Sequence, residues 1–178
     1  LEKEGLMDNT YIFMTADHGL AVGKHGLLGK QNMYDHSMRV PLLVSGPNVP
    51  AGNIVDTDVY LQDLMPTGLE IGGVAKPDFV EFNSLLPHIN TPETATKLDG
   101  VYGAYLNVQR MIRKDGFKLI MYPKINETLL FDMNNDPLEL KDLSNMDEHL
   151  ETKKALFEAF EKLQSQYNDE LDLSGMIL

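Results

Sequence analysis

An α/β layer over residues 1–98, followed by a small antiparallel sheet and a terminal helix over residues 99–178, is the architecture this sequence predicts. Three observations predict it. Two short runs rich in β-formers, residues 10–16 and 39–45, share the first 75 residues with helical patterns and show no polar face, as strands covered on both sides do. After Gly100 come four short strand candidates separated by turn residues, and antiparallel pairing is the economical way to join them. The last segment repeats apolar residues at helical spacing.

Taken in order, residues 1–5 read as the end of a helix stopped by Gly5. Residues 10–16 (TYIFMTA) follow Asp8-Asn9 and read as a buried strand. Residues 19–38 are rich in Gly and polar side chains without a period, which predicts a long loop. Residues 39–45 (RVPLLVS) read as a second buried strand, ended by Gly46-Pro47. Apolar residues at 61, 64, 65, 69 and 71 predict a helix over 59–71, closed by Gly72-Gly73. Residues 76–98 read as a linker with one short helix near 84–88. Strands are expected at 101–108, 110–114, 118–122 and 128–132, with Asp115-Gly116 as one of the turns. Ser144-x-x-Asp147 is a capping pattern for the last helix. In that helix Leu156, Ala159, Phe160, Leu163 and Tyr167 form one apolar stripe, and the acidic face is left to solvent.

Composition narrows the function classes. The 178 residues suit one domain, or a domain and a subdomain, and at this size roughly 70% of the unfolded surface is buried. With 43% apolar and 24% charged residues, a disordered, collagenous or coiled-coil chain is excluded. No apolar run approaches the ~18 residues of a membrane span. The net charge of −12 argues against nonspecific nucleic-acid binding and against attraction to anionic membranes. The charge is uneven: residues 136–170 hold ten acidic and four basic side chains, residues 1–40 five and four. An anionic ligand is therefore repelled least by the N-terminal stretch. The absence of cysteine removes disulfides, thiolate zinc sites and a cysteine nucleophile within this chain. The sequence opens on Leu without a charged segment leading into an apolar one, which leads us to expect the downstream piece of a longer protein.

The sharpest chemical feature is Asp17-His18-Gly19, at the C-terminal edge of the first expected strand. In open α/β sheets ligands bind at that edge. Asp offers a hard oxygen and His a nitrogen, so both can hold a divalent ion, and Gly19 allows a sharp turn beside them. The competing reading is an Asx-type turn with a helix cap. Next comes Gly23-Lys24-His25-Gly26-Leu27-Leu28-Gly29-Lys30, two lysines and a histidine on a glycine-bearing loop. Lysine supplies a compact cation and histidine donates or accepts near neutral pH. A solvated surface loop is the alternative, and the full phosphate-loop pattern is absent because neither Gly-Lys is followed by Ser or Thr. Together the two segments could grip an anionic centre between a metal and basic side chains, as phosphoryl or sulfuryl transfer requires. No nucleophile stands out: Thr15 sits inside a strand, and Ser37, Ser45 and Ser84 lack a neighbouring His-plus-acid arrangement.

TADHG, GKHGLLGKQNMYDHSMRVPLLVSGP, DVYLQDLMPTGLEIGGV and LLFDMNNDPLELKDLS, in that order, resemble the C-terminal half of a type I sulfatase of the alkaline phosphatase superfamily. The resemblance covers nearly the whole chain. It implies the C-terminal part of an alkaline-phosphatase-like α/β sandwich with a small antiparallel sheet and helix behind it. It implies a calcium-dependent sulfuric ester hydrolase whose formylglycine nucleophile lies upstream, outside this chain. Asp17 and His18 match the downstream pair of calcium ligands. Lys30 matches the lysine on the sulfate and the leaving oxygen, and His25 a histidine of the active-site loop near the substrate. Arg39 matches an arginine before the Val-Pro strand. Lys24 and His36 stand where acidic residues are common in the family, and neither is assigned a role.

The family's Cys/Ser-x-Pro-x-Arg motif is not in this sequence, and the upstream Asp pair, lysine and histidine are missing too. The chain is thus expected to hold half of a site and to be inactive by itself. A sulfate ester, carbohydrate sulfates among them, is the implied substrate, and the N-terminal part of the same protein the implied partner, with no nucleic acid and no membrane span. Periplasmic or secreted localisation is what the family implies. The competing readings are a phosphodiesterase or phosphonate ester hydrolase of the same superfamily, and a non-catalytic module that binds sulfated glycan. Elsewhere, His88 is expected at the surface or at a helix cap, His149 in solvent and the ten methionines in core gaps. Asn126-Glu127-Thr128 fits an N-glycosylation acceptor.

Overall fold

The computed structural model describes residues 1–91 and 98–176. The part of the expected linker at 92–97 lies outside the described residues. The elements in chain order are β1 (Ile12–Thr15), α1 (Asp35–Met38), β2 (Leu42–Ser45), α2 (Leu64–Ile71), α3 (Leu86–Asn90), β3 (Val101–Tyr105), β4 (Gln109–Lys114), β5 (Phe117–Tyr122), β6 (Glu127–Asp132) and α4 (Leu150–Gln166). They group into two compact units, Leu1–Asp17 with Pro41–Leu98, and His18–Val40 with Asp99–Leu178.

In the first unit Glu2–Glu4 make a short 3-10 turn closed by Gly5 in the left-handed conformation, the stop that the sequence signals. β1 and β2 pair antiparallel, with Met14 opposite Leu43. The expectation that both strands are buried on two faces is corrected here. Exposure alternates along each strand, and Met14 and Leu43 are 56% and 58% exposed. A two-stranded ladder has one covered face at most unless another layer closes the second. The expected helix over 59–71 begins later, as a 3-10 turn at Leu61–Asp63 that runs into α2. Asp63 Oδ2 accepts the Tyr60 N–H at 2.8 Å and holds residue 60 extended. The same buried carboxylate takes the Asn83 N–H, while Thr67 Oγ1 donates to Asp63 O and accepts the Leu85 N–H. These bonds fasten the segment before α3 to α2. The short helix expected near 84–88 lies two residues further on, as α3.

The second unit is an antiparallel meander, β3-β4-β5-β6, in sequence order. Asp115 and Gly116 at the β4–β5 hairpin both have positive φ, 51° and 79°, which suits the twist of a two-residue hairpin. β5 is central and its side chains alternate between two covered faces. Leu119 and Met121 meet Ile112 and Leu130 on one face, where Leu156, Phe160 and Leu163 of α4 close the core. Each of those three helix residues contributes roughly 1.5–3 kcal/mol by leaving water. Ile120, with Met111 and Phe131, faces the other way against Met33 and Tyr34. The stripe and the acidic outer face of α4 follow the sequence expectation. The Ser144 cap does not: Ser144 Oγ donates to Asp142 Oδ2 at 2.8 Å, and α4 starts after a 3-10 turn at Asp147–His149. His149, expected in solvent, sits at the start of α4 with its ring 6.1 Å from Phe117. The methionines divide: Met33, Met111, Met121 and Met133 are buried, whereas Met7, Met14, Met38 and Met65 are exposed. Among the described residues, no helix is long and apolar enough to cross a membrane.

Candidate functional site

Residues 18–40 leave the end of β1 as a loop that belongs to the second unit. It is less irregular than its composition suggests. Lys24–Gly26 form a 3-10 turn and Asp35–Met38 form α1, which the absence of a hydrophobic period in so short a helix had hidden. The turn holds strained backbone: Val22 and His25 have φ of 50° and 52°. A β-branched residue there is an outlier that surrounding contacts must over-determine, and such residues gather at ligand sites. Gly23 N–H donates to Leu27 O at 2.8 Å and closes the turn.

His18 and Lys30 are brought together. Lys30 Nζ lies 2.5 Å from His18 Nε2, and His18 Nδ1 lies 2.8 Å from Gly19 O. An ammonium only donates, so Nε2 accepts and the Nδ1 proton goes to the Gly19 carbonyl. The Nε2 lone pair of the imidazole is thereby engaged by the ammonium. Gly19 makes this placement possible by close approach, not by the sharp turn expected of it. A Cβ on Gly19 would stand 2.0 Å from the His36 carbonyl oxygen, and Gly19 N–H donates to Ser37 O at 2.8 Å. The backbone beside His18 therefore rests on α1. Asp17 precedes His18 as an exposed residue at the end of the first unit.

His25 is held separately, in a stack of rings. It lies 4.0 Å from Tyr34 at 8°, and His36 lies 5.5 Å from each. Tyr34 packs on Phe131, takes a hydrogen bond from the Tyr122 hydroxyl, and has its phenol pKa raised by burial and then by the Glu139 charge. His36 is held below its ordinary pKa, first by burial and then by the neighbouring His25 and Lys24, which favours its neutral form. Neither of its ring nitrogens has a hydrogen-bond partner among the described residues. Arg39 is exposed at the end of α1, and Lys24 is exposed in the turn.

Sequence reasoning missed the residues beneath this loop. Lys118 of β5 is 0% exposed and directs its ammonium at Asp35 Oδ1, at Glu139 Oε1 2.6 Å away and at Met33 O 3.3 Å away. Glu139 Oε2 takes the Asp35 N–H at 2.8 Å. The available signal was a lysine at an inward position of an otherwise apolar strand, FKLIMY.

Asp17 and His18 are consecutive in the chain and supply one carboxylate and one imidazole. Calcium takes six to eight mostly oxygen donors, so this pair would fit as part of a shell once Lys30 leaves His18 Nε2. Among the described residues no group of three or more His, Asp or Glu could hold a metal.

Residues 23–166 match the family described as N-sulphoglucosamine sulphohydrolase, C-terminal. The chain is similar to an N-acetylglucosamine-6-O-sulfatase of Bacteroides thetaiotaomicron, 34% identical over 95% of this chain and 32% of that protein. Among solved structures it is similar to a protein in complex with its substrate D-glucosamine-2-N,6-O-disulfate, with a TM-score of 0.89, 31% identity, and coverage of 96% of this chain and 37% of that one. It is similar as well to the phosphonate monoester hydrolase of Agrobacterium radiobacter, with a TM-score of 0.79, 25% identity, and coverage of 94% and 37%. The chain thus spans about a third of the length of these relatives. With most of its residues matched, from the glycine turn that bears His25 to the end of α4, the chain belongs to the C-terminal family of N-sulphoglucosamine sulphohydrolases.

Proposed function

We propose that this chain is the downstream part of a sulfatase that hydrolyses sulfate esters of carbohydrates, with 6-O-sulfated glucosamine as the substrate class. The observation that supports this most is the contact between Lys30 and His18 on the loop that starts at Asp17. It sets a cation suited to a sulfate oxygen beside an imidazole whose Nε2 can serve a metal once that ammonium turns to the sulfate. The similarity to a GlcNAc-6-O-sulfatase and to a structure holding a disulfated glucosamine supports the sugar class.

Lys30 is the working cation. Its ammonium approaches the sulfate and stabilises charge that builds on the leaving oxygen, an electrostatic contribution that needs a fixed donor. His25, oriented by its stack on Tyr34, lies on the same loop and contacts the substrate. With the Lys30 ammonium turned from His18 Nε2 to the sulfate, Asp17 and His18 would be two of the donors to a calcium ion, which when bound offsets charge on the sulfate oxygens. A formylglycine upstream of this chain supplies the nucleophile. In this reading residues 1–98 complete the large α/β domain and residues 99–178 form the small sheet-and-helix subdomain. Large exposed apolar side chains of the first unit, such as Ile54, Met65 and Phe79, support further polypeptide packing on it. Export to the periplasm or beyond belongs to the same reading, as for many members of the family.

A second reading rests on the likeness to a phosphonate monoester hydrolase: the same residues would then face a phosphonate ester. The test uses the longer protein that carries this chain. Sulfate release from glucosamine-6-sulfate and phenol release from a phenyl phosphonate monoester are measured side by side. Sulfate release the greater by tenfold or more in kcat/KM is expected, with Lys30→Ala lowering turnover about 100-fold. Preference for the phosphonate ester, or full turnover by Lys30→Ala, overturns the reading.

A further inference from the structure

We propose that Lys118, acting with Glu139, is a positioning residue for the loop that carries His25 and Lys30. The inference rests on the sulfatase reading of that loop.

The geometry runs from the sheet to the loop in short steps. Side chains of β5 alternate, and Lys118 shares its face with Ile120, the face that meets Met33 and Tyr34. A lysine at 0% exposure cannot reach water, so its three donors must be met inside. They are met by Asp35, Glu139 and the Met33 carbonyl. Two of these acceptors lie in the loop, at the first residue of α1 and two residues before it. The third, Glu139, comes from the turn after β6, where it adopts a φ of 57°, and its second oxygen binds the Asp35 N–H. One buried cation and one buried carboxylate thus fix residues 33–35 at three points.

What those points fix is the site. Tyr34 lies between them and is the ring on which His25 stacks. Lys30 lies five residues before Asp35, joined to it through Gln31, Asn32 and the buried Met33. α1 supplies the His36 and Ser37 carbonyls against which Gly19 rests, and with Gly19 the adjoining His18. A loose hold on residues 33–35 would therefore misplace His25, Lys30 and His18 together. Neither Lys118 nor Glu139 is assigned contact with substrate, so both act through the loop. A displacement of about 1 Å is enough to cost on the order of 100-fold in rate.

Glu139→Gln in the longer protein that carries this chain tests this. The amide keeps the volume and one acceptor, but its NH2 must face either the Lys118 ammonium or the Asp35 N–H, so one tether is lost. Lys118→Met removes the ammonium and risks the fold, which is why the glutamine variant carries the test. Two measurements are made well below the melting temperature: kcat and KM on glucosamine-6-sulfate, and amide hydrogen exchange over residues 18–38. The expected result is a kcat at least tenfold lower, KM within threefold, and faster exchange confined to residues 18–38 while α4 and β4 stay protected. A kcat within twofold of the unmodified protein overturns the proposal even if the melting temperature falls, since a purely structural tether does only that. Lower kcat with unchanged exchange over 18–38 overturns it too. If the unmodified protein releases no sulfate, the functional reading has failed, and the exchange measurement alone decides whether Lys118 and Glu139 hold the loop.

Discussion

Gly19 and Gly23 stand four residues apart in one loop and are required for different physical reasons. Gly23 has a φ of 93° with nothing within 4 Å of where a Cβ would be, so its requirement is conformational. Alanine there costs about 1–2 kcal/mol of backbone strain. Gly19 has an ordinary conformation, but its Cβ would meet backbone atoms, the His36 oxygen at 2.0 Å and its carbon at 2.9 Å. Backbone cannot rotate away as a flexible side chain can, so α1 must move and the Gly19–Ser37 hydrogen bond goes with it. Gly19→Ala is therefore expected to lose about 2–3 kcal/mol in urea unfolding, more than Gly23→Ala. Equal losses would show that α1 yields freely. At this scale the sequence marked Asp17, His18, His25 and Lys30 as candidates by type and spacing, and of these the structure brings His18 and Lys30 into contact. Sequence reasoning misjudged Gly19, because a long-range close approach leaves no local trace. It passed over Lys118, Asp35 and Glu139, because their meeting depends on residues 83 and 21 positions apart.

Among elements, the β-meander was legible because each strand follows its neighbour through a short turn, and Asp115-Gly116 declares one of those turns. α1 was not legible, since four residues give no period. The tail after α4 shows a similar limit. Asp169 accepts from Arg110 Nε at 2.5 Å and from Nη2 at 2.9 Å, and the Tyr102 hydroxyl donates to it, so the tail is pinned to β3 and β4. Arg110 is buried and Asp169 partly buried. The Arg110 hydrogen bonds, more than the opposing burial, hold the Asp169 carboxyl at about 2, below its ordinary 3.8. The sign follows from linkage: the unfolded chain binds the proton more readily, so this stabilisation is complete above 3.8 and is lost as pH falls towards 2. Asp169→Asn leaves a guanidinium without its counter-charge and is expected to cost about 3 kcal/mol at pH 7. The difference from the unmodified chain should narrow as urea unfolding is repeated towards pH 2.5. A gap independent of pH would mean that the carboxylate acts through shape alone.

For the molecule as a whole, apolar residues are divided unequally between the two units. The buried clusters around Phe160 and around Met111 both belong to the second unit. In the first, the buried hydrophobic residues among those described are Val80 and Leu85, while Phe79 is 84% exposed. The sequence predicted two covered strands in that unit, and the apolar composition was read correctly; what one chain cannot reveal is whether the cover lies within it. A two-stranded ladder is marginal alone, and local stability follows local burial. In the 178-residue chain we therefore expect amide hydrogens of β5 to exchange at least about 1,000-fold more slowly than those of β1 and β2. Exchange mass spectrometry resolves the two sets. In the longer protein that carries this chain, β1 and β2 should gain protection while β5 changes little, because only the former have an uncovered apolar face to bury. Comparable protection of both sheets in the 178-residue chain would mean that the first unit is stable without further polypeptide, and the exposed Met14 and Leu43 would then need another explanation.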